Sequence, residues 1–145
     1  MDSRKIVSLL SKRCGNVFLG VFSIDRLPAT LPPRRPLLLV CNTAKHDQPG
    51  DHWVVLYIDI RGEYFDSFGR APEPTFQLFL NKYCNSYLFN DKVLQSILSA
   101  FCGHYAVFYS LMKTLNYSLH DTTNAFDTDT YLNDFLVHKF VCDAL

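Results

Sequence analysis

The chain has 145 residues, of which 48% are hydrophobic and 14% aromatic, which is enough for a single domain over residues 1–145 with one well-filled core. Its 14 basic and 14 acidic residues give a formal net charge of zero, which argues against strong nucleic-acid binding because phosphate affinity comes mainly from excess Lys and Arg. No segment reaches the roughly 20 apolar residues of a membrane span. The first residues also lack the apolar stretch of a signal peptide, so we expect a soluble, intracellular protein with no membrane partner.

Helical and strand-like patterns alternate along the whole chain. Residues 3–13 place apolar side chains on one face at the spacing of a helix. The run LLLVCN is continuously apolar between chain breakers, which is typical of a central strand buried on both faces. In chain order, the predicted elements are a helix over 3–13, strands over 37–42, 52–60 and 63–69, a helix over 72–83, a short strand over 86–90, and helices over 102–116 and 128–142.

These elements predict an α+β fold. The second and third strands are joined by a tight turn and therefore form a β-hairpin. The helix that begins at Cys102 is too densely apolar for an exposed helix, so we expect a mostly antiparallel central sheet packed against it. The last helix is expected to turn Tyr131, Phe135 and Phe140 inward.

One of the five scattered cysteines, Cys102, stands where a helix is predicted to begin. The number of cysteines is odd and no C-x-x-C pair is present, so we expect reduced thiols and no zinc site. At a helix N-terminus the helix dipole stabilises a thiolate. Gly103 follows and leaves the backbone uncrowded, so that its N–H can approach a ligand. The alternative is that Cys102 is a small buried hydrophobe.

A cysteine nucleophile needs a base, and His52 is the strongest candidate among the five histidines. It opens a strand just after a turn, with Trp53 beside it to shield a site. His104 lies close to the nucleophile in the sequence, but neighbouring side chains of a helix point about 100° apart, so His104 is expected to point away from Cys102. The remaining three lie in polar or exposed stretches and are expected to be solvated, namely His46, His120 and His138.

The candidate that orients the imidazole is Asp66, at the end of the partner strand. Its neighbours Phe65 and Phe68 indicate a half-buried position. Asp51, in a turn, and Asp59, at the hairpin tip, are weaker candidates, and a solvated carboxylate is the alternative for each of the three.

The register of the hairpin is left open. If Arg61 and Gly62 form its turn, Asp66 lies opposite Tyr57, about 13 Å along the strand from His52. Direct opposition requires a turn centred near Asp59, or a bulge.

An acyl-transfer site also needs donors for the oxyanion. The backbone N–H of Cys102 at the helix N-terminus is one. Gln95, seven residues upstream, can supply a side-chain amide from the loop that leads into the helix.

The segments GDHW, YFDSFG and QSILSAFCG, in this order, resemble the adenovirus protease (adenain) family and its wider clan, which includes the ubiquitin-like-protein proteases. FLGVF and NTA lie upstream of HW in the adenoviral order, so the resemblance covers roughly residues 18–110. It implies the fold of the papain-like cysteine protease superfamily. Two departures are a shorter interval from His52 to Asp66 and a C-terminal region reduced to one helix.

The resemblance implies a reaction, a substrate class and a source. The reaction is peptide-bond hydrolysis through a thioester, with no cofactor required for the chemistry. The substrates are capsid and core precursor proteins, cut after small residues during virion maturation, in the host cytoplasm or nucleus and in the virion. A virophage, an adintovirus or a Polinton-like element is the implied source. The roles implied are nucleophile for Cys102, general base and acid for His52, its orienter for Asp66, oxyanion donor for Gln95, and support of the site for Gly103 and Trp53.

The resemblance also raises the question of an activator. Adenoviral proteases are activated by DNA and by a peptide disulfide-linked to a cysteine upstream of the nucleophile. Cys84 lies in about the corresponding place, and a buried structural thiol is its alternative role. Zero net charge weakens the DNA part of the analogy.

Two other functions stay open. The first is a deubiquitinase or deSUMOylase of the same clan, although the chain has little room for the recognition insertions that such enzymes usually carry. The second is a non-catalytic interaction protein that retains the fold, against which the joint retention of His52, Gln95 and Cys102 counts.

Overall fold

A five-stranded sheet forms the centre of the computed structural model, which describes residues 1–145. None of its helices is long and apolar enough to cross a membrane. The predicted order of elements is confirmed, with two additions, a strand that precedes the predicted strands and a short helix, here called β1 and α4. The elements are α1 (Ser3–Cys14), β1 (Phe18–Ser23), β2 (Leu37–Asn42), β3 (Trp53–Ile58), β4 (Arg61–Phe65), α2 (Pro74–Tyr83), β5 (Ser86–Phe89), α3 (Cys102–Thr114), α4 (Leu119–Asn124) and α5 (Thr130–Ala144).

The sheet is mixed, so the expectation of a mostly antiparallel sheet holds for its three central strands but not for its edges. Its strands lie in the order β1–β2–β3–β4–β5. β3 pairs antiparallel with β2 and with β4, but both edge strands run parallel to their neighbours. Parallel neighbours need a crossover connection, which α2 provides between β4 and β5 and the proline-rich loop provides between β1 and β2. Hydrophobic periodicity indicates a strand but not the direction of its partner.

Apolar layers cover both faces of the sheet. β2 is buried at every position, as its continuous apolar run predicts. Phe76 and Leu80 of α2 pack on one face. On the other face, α1 and α3 contribute the fully buried side chains of Ile6, Leu10 and Tyr105. Helix α3 is therefore held firmly against the sheet, and its first residue lies next to the start of β3.

Helix α5 packs through a different face from the one predicted. Tyr131 and Phe135 are 66% and 64% exposed, and Phe140 is also exposed, so the expectation that these aromatic side chains point inward is wrong. The residues that α5 buries are Asn133, Asp134, Val137 and Val141.

Polar side chains explain this orientation of α5, because they bind the loop that precedes α3. Nδ2 of Asn133 donates to the carbonyl of Leu94 (3.0 Å). Oδ1 of Asp134 accepts from the Tyr105 hydroxyl (2.8 Å) and from the backbone N–H of Ser96 (3.3 Å). Partnered polar groups thus take the inward positions that the hydrophobic pattern assigns to aromatic rings. For the site, the consequence is a loop that is anchored on α5.

Candidate active site

A cleft of about 1090 Å³ opens where the start of β3 meets the start of α3. His52, Trp53, Gln95 and Cys102 all line it. Helix α3 begins without a side-chain cap, so the N–H groups of its first turn are available to an anion. The cleft therefore combines a thiol, an imidazole and uncapped helical N–H groups.

The hairpin register brings His52 and Asp66 together. Val55 of β3 pairs with Phe65 of β4, and the turn begins at Asp59. This pairing is centred on Ile60 and brings Asp66, one position past Phe65, level with Val54, so Asp66 is a diagonal neighbour of His52 at the same end of the hairpin. Direct opposition, which needs a turn centred near Asp59, is therefore not observed, and the alternative that would separate the pair by about 13 Å is excluded.

His52 and Asp66 form a buried hydrogen-bonded pair. Nε2 of the imidazole lies 2.7 Å from Oδ1 of the carboxylate, and the two residues are only 6% and 3% exposed. Because a carboxylate only accepts, Nε2 carries a proton, and Nδ1 is the nitrogen left to interact with Cys102. The ring of Phe68 stacks on the imidazole, with centroids 4.8 Å apart, and restricts its rotation.

The ionisation of His52 is coupled to that of Cys102. Burial by itself would lower the pKa of His52, but hydrogen bonds to Asp66 and Cys102 outweigh burial and raise it. Burial would likewise raise the pKa of Cys102, but hydrogen bonds from His52 and from the backbone at Trp53 and Gly103 lower it. These opposite directions favour a thiolate paired with an imidazolium.

Asp66 is itself held by Asn90, a residue that sequence reasoning missed. The buried Asn90 side chain accepts from the backbone N–H of Asp66 (3.0 Å) and donates to its carbonyl (2.6 Å), much as a neighbouring strand would. Oδ1 of Asp66 also accepts from the backbone N–H of Phe68 (2.8 Å). The only signal in the sequence is an Asn directly after a short strand, which is too common to point to this contact.

The amide of Gln95 is engaged at both ends. Its Oε1 accepts from the Ser67 hydroxyl (2.6 Å), and its Nε2 donates to the carbonyl and the hydroxyl oxygen of Ser99 (3.1 and 3.0 Å). Gln95 is buried, yet it lines the same cleft as Cys102. Neither serine is among the candidates that the sequence suggests.

Gly103 and Trp53 pack against each other and against Met1. A Cβ atom on Gly103 would lie 2.9 Å from Cβ of Met1 and 3.2 Å from Cδ1 of Trp53. Nε1 of Trp53 donates to the carbonyl of Met1 (3.1 Å). The glycine therefore permits close packing at the start of α3, in addition to leaving the backbone N–H open to a ligand.

The other histidines lie outside the cleft or are paired elsewhere. His46 is at the cleft rim and binds Asp25 (2.6 Å). His104 packs on Phe101 and His138, where burial and nearby positive charge lower its pKa to about 4. No group of three or more His, Cys, Asp or Glu side chains is placed to hold a metal ion.

The two weaker acid candidates and Cys84 lie in different surroundings from Asp66. Asp51 is at the cleft and exposed, and Asp59 accepts from the backbone N–H at the hairpin turn (2.9 Å).

Cys84 is buried, and its Sγ would lie 2.6 Å from a Cβ atom on Gly62. Burial raises the pKa of this thiol. These surroundings favour the structural alternative for Cys84 over a disulfide with a peptide.

Two viral proteins are similar to this chain in sequence, although no protein-family model matches it. The cysteine protease S273R of African swine fever virus (isolate Tick/Malawi/Lil 20-1/1983) is 26% identical over 115 residues, covering 70% of this chain and 42% of that protein. The SUMO-1 cysteine protease S273R of isolate Tick/South Africa/Pretoriuskop Pr4/1996 is 27% identical with the same coverage. The chain therefore spans less than half the length of these relatives.

Solved structures share the architecture over nearly the whole chain. The crystal structure of the African swine fever virus pS273R protease superposes with a TM-score of 0.65 at 20% identity, covering 94% of this chain and 66% of that one. ChlaDub1 from Chlamydia trachomatis superposes with a TM-score of 0.55 at 15% identity, covering 98% and 76%. The chain has their fold.

Proposed function

We propose that this chain is a cysteine protease. The observation that carries the proposal is His52 placed between Asp66 and Cys102, with the pKa of the histidine raised and that of the thiol lowered. A buried structural cysteine needs neither a lowered pKa nor an imidazole oriented by a carboxylate. Sequence similarity to two viral proteins named cysteine proteases supports the same activity.

In the proposed reaction, Sγ of Cys102 attacks the carbonyl carbon of the peptide bond, and the carbonyl oxygen becomes an oxyanion. The N–H groups at the start of α3 and Nε2 of Gln95 donate to that oxygen. His52 gives its Nδ1 proton to the leaving amine, and the acyl group stays on Cys102 as a thioester. Water, deprotonated by His52, then attacks the thioester and restores the thiol. Asp66 stays ionised and holds the imidazole in place.

The substrate we propose is a capsid or core precursor protein of a virus, cut after a small residue during virion maturation in the infected cell or the virion. The viral origin of both similar sequences supports this choice. A second candidate is a ubiquitin-like-protein protease, since one relative is named a SUMO-1 cysteine protease. A non-catalytic protein is disfavoured because it would need neither the buried hydrogen bond between His52 and Asp66 nor the buried Gln95 amide at the same cleft.

A thiol-reactive probe tests the ion pair. At near-neutral pH, we expect iodoacetamide to alkylate Cys102 faster than the other four cysteines, and we expect His52→Ala to slow the alkylation of Cys102. Cys142 is exposed, with Sγ 3.6 Å from Nε2 of His138, and serves as the reference for an exposed thiol outside the cleft. Labelling is mapped by mass spectrometry. Equal rates at Cys84 and Cys102 that do not respond to His52→Ala would refute the pair.

A panel of substrates separates the two protease functions. Viral precursor peptides with a small residue at the cut are compared with ubiquitin-like proteins fused at their C-terminus to a reporter. We expect the precursor peptides to be cut and Cys102→Ala to abolish the cleavage. Preferential cleavage of the fusions would replace the first function by the second, and no cleavage of either set would refute protease activity.

A further inference from the structure

The orientation of the Gln95 amide follows from the chemistry of its neighbours. Nitrogen and oxygen of an amide differ little in shape, so the neighbouring groups must distinguish them. The backbone oxygen of Ser99, 3.1 Å away, only accepts, so the atom that faces it is Nε2. Oε1 then faces the hydroxyl of Ser67 at 2.6 Å, and that hydroxyl is the donor.

Ser67 holds the backbone of this loop as well as the side chain. Its carbonyl accepts from the N–H of Leu94 (2.9 Å) and from the N–H of Gln95 (3.1 Å). Ser67 directly follows Asp66, and both Ser67 and Gln95 are 1% exposed. The strand end that carries the acid is therefore connected, through one serine, to the loop that carries the amide.

The nitrogen end of the amide lies at the cleft. Ser99, which accepts both Nε2 hydrogen bonds, lines the cleft together with Gln95 and Cys102. The bond to the Ser99 hydroxyl is the one that an oxyanion can replace, because that hydroxyl also has a partner in the carbonyl of Ser96 (3.2 Å). A flipped amide would present Oε1 to the cleft and repel an oxyanion.

We propose that Ser67 is a positioning residue for Gln95: its hydroxyl holds the amide with the nitrogen toward the cleft, as an oxyanion donor requires. The role of the amide rests on the proposed protease function, whereas the hydrogen bond that sets its orientation does not. Removal of the hydroxyl leaves Oε1 without a buried partner, and the amide is then held at its nitrogen end alone, by Ser99.

A double-mutant cycle tests whether Ser67 acts through Gln95. Loss of one oxyanion donor lowers kcat by about 10²–10³-fold, and we expect Gln95→Ala to fall in that range. Ser67→Ala should lower kcat by about tenfold with KM unchanged, because an amide held only by Ser99 is less well aligned on the oxyanion. It should have no further effect in the Gln95→Ala background. If Ser67→Ala lowered kcat equally in the wild type and in Gln95→Ala, Ser67 would not act through Gln95, and the proposal would be overturned.

A second readout does not depend on activity. The side-chain NH2 of Gln95, observed by NMR in the full chain, should exchange with solvent faster in Ser67→Ala than in the wild type. The matched control is Ser110→Ala, since the buried Ser110 hydroxyl binds only its own helix at Ala106 (2.8 Å). Unchanged exchange in Ser67→Ala overturns the positioning role even if no peptide is hydrolysed. Absence of hydrolysis with faster exchange refutes only the protease function.

Discussion

Asp66→Asn removes one charge from the site and leaves its shape in place. Oδ1 of Asp66 accepts from Nε2 of His52 at 2.7 Å and from the N–H of Phe68 at 2.8 Å. Because both neighbours are donors, the oxygen of the Asn amide is expected to stay where Oδ1 is now. The imidazole therefore keeps its hydrogen bond but loses the negative charge that stabilises its protonated form.

The size of the effect follows from the two kinds of hydrogen bond. A hydrogen bond to a charged group contributes about 1.5–3 kcal/mol, against about 1 kcal/mol for a neutral one. The difference of about 1.4 kcal/mol corresponds to one pKa unit. The pKa of His52 should therefore fall by about one unit, while the imidazolium, as long as it is protonated, keeps the charge that lowers the pKa of Cys102.

The sign of the change predicts a narrower pH range for the ion pair. The imidazolium is lost at lower pH than in the wild type, whereas the pH at which the thiolate forms beside it stays the same. In iodoacetamide alkylation of Cys102, the first inflection of the rate with pH should be unchanged, and the second inflection, where the imidazolium is lost, should move down by about one unit. The measurement is a pH–rate profile with the alkylated residue identified by mass spectrometry.

The matched control is Asp51→Asn. Asp51 is a carboxylate of the same cleft, but it is exposed and has no hydrogen bond to His52. We expect its profile to coincide with that of the wild type. If the Asp66→Asn profile also coincided, the charge of Asp66 would not control the ion pair, and the reasoning from the 2.7 Å hydrogen bond would be refuted.

Two further substitutions test contacts around the site. Asn90→Ala removes both side-chain bonds to the backbone of Asp66 and should lower the free energy of unfolding by about 2 kcal/mol, measured with urea, and lower kcat more than it changes KM. Glu63→Gln breaks a buried pair with Lys113 (3.1 Å) and removes the carboxylate that accepts from Tyr109 (2.6 Å), so it should lower the free energy of unfolding by about 3 kcal/mol.

Each of these substitutions has a matched control on the surface. Asn85→Ala and Glu73→Gln remove the same groups at exposed positions and should leave the free energy of unfolding within about 0.5 kcal/mol of the wild type. If Asn90→Ala behaved like Asn85→Ala, Asn90 would not hold the acid. If Glu63→Gln behaved like Glu73→Gln, the buried ion pair would not connect β4 to α3.

The sequence predicted those features that depend on near neighbours in the chain. The apolar spacing of α1, the continuous apolar run of β2 and the helix that begins at Cys102 all agree with the structure. A helix has a period of about 3.6 residues and a strand of two, so these patterns are visible within a short window. A cysteine nucleophile needs a histidine base and an acid that orients it, and this requirement also pointed to His52 and Asp66, which the fold brings within hydrogen-bonding distance.

Tertiary structure alone decided which elements meet and in what register. The hairpin turn near Asp59, the parallel edge strands and the outward aromatic face of α5 depend on contacts between distant segments. The same holds for Asn90 and Ser67, whose polar side chains bind residues more than twenty positions away along the chain. A polar side chain in a loop has many equivalent partners in the unfolded chain, and only the packed fold selects one of them.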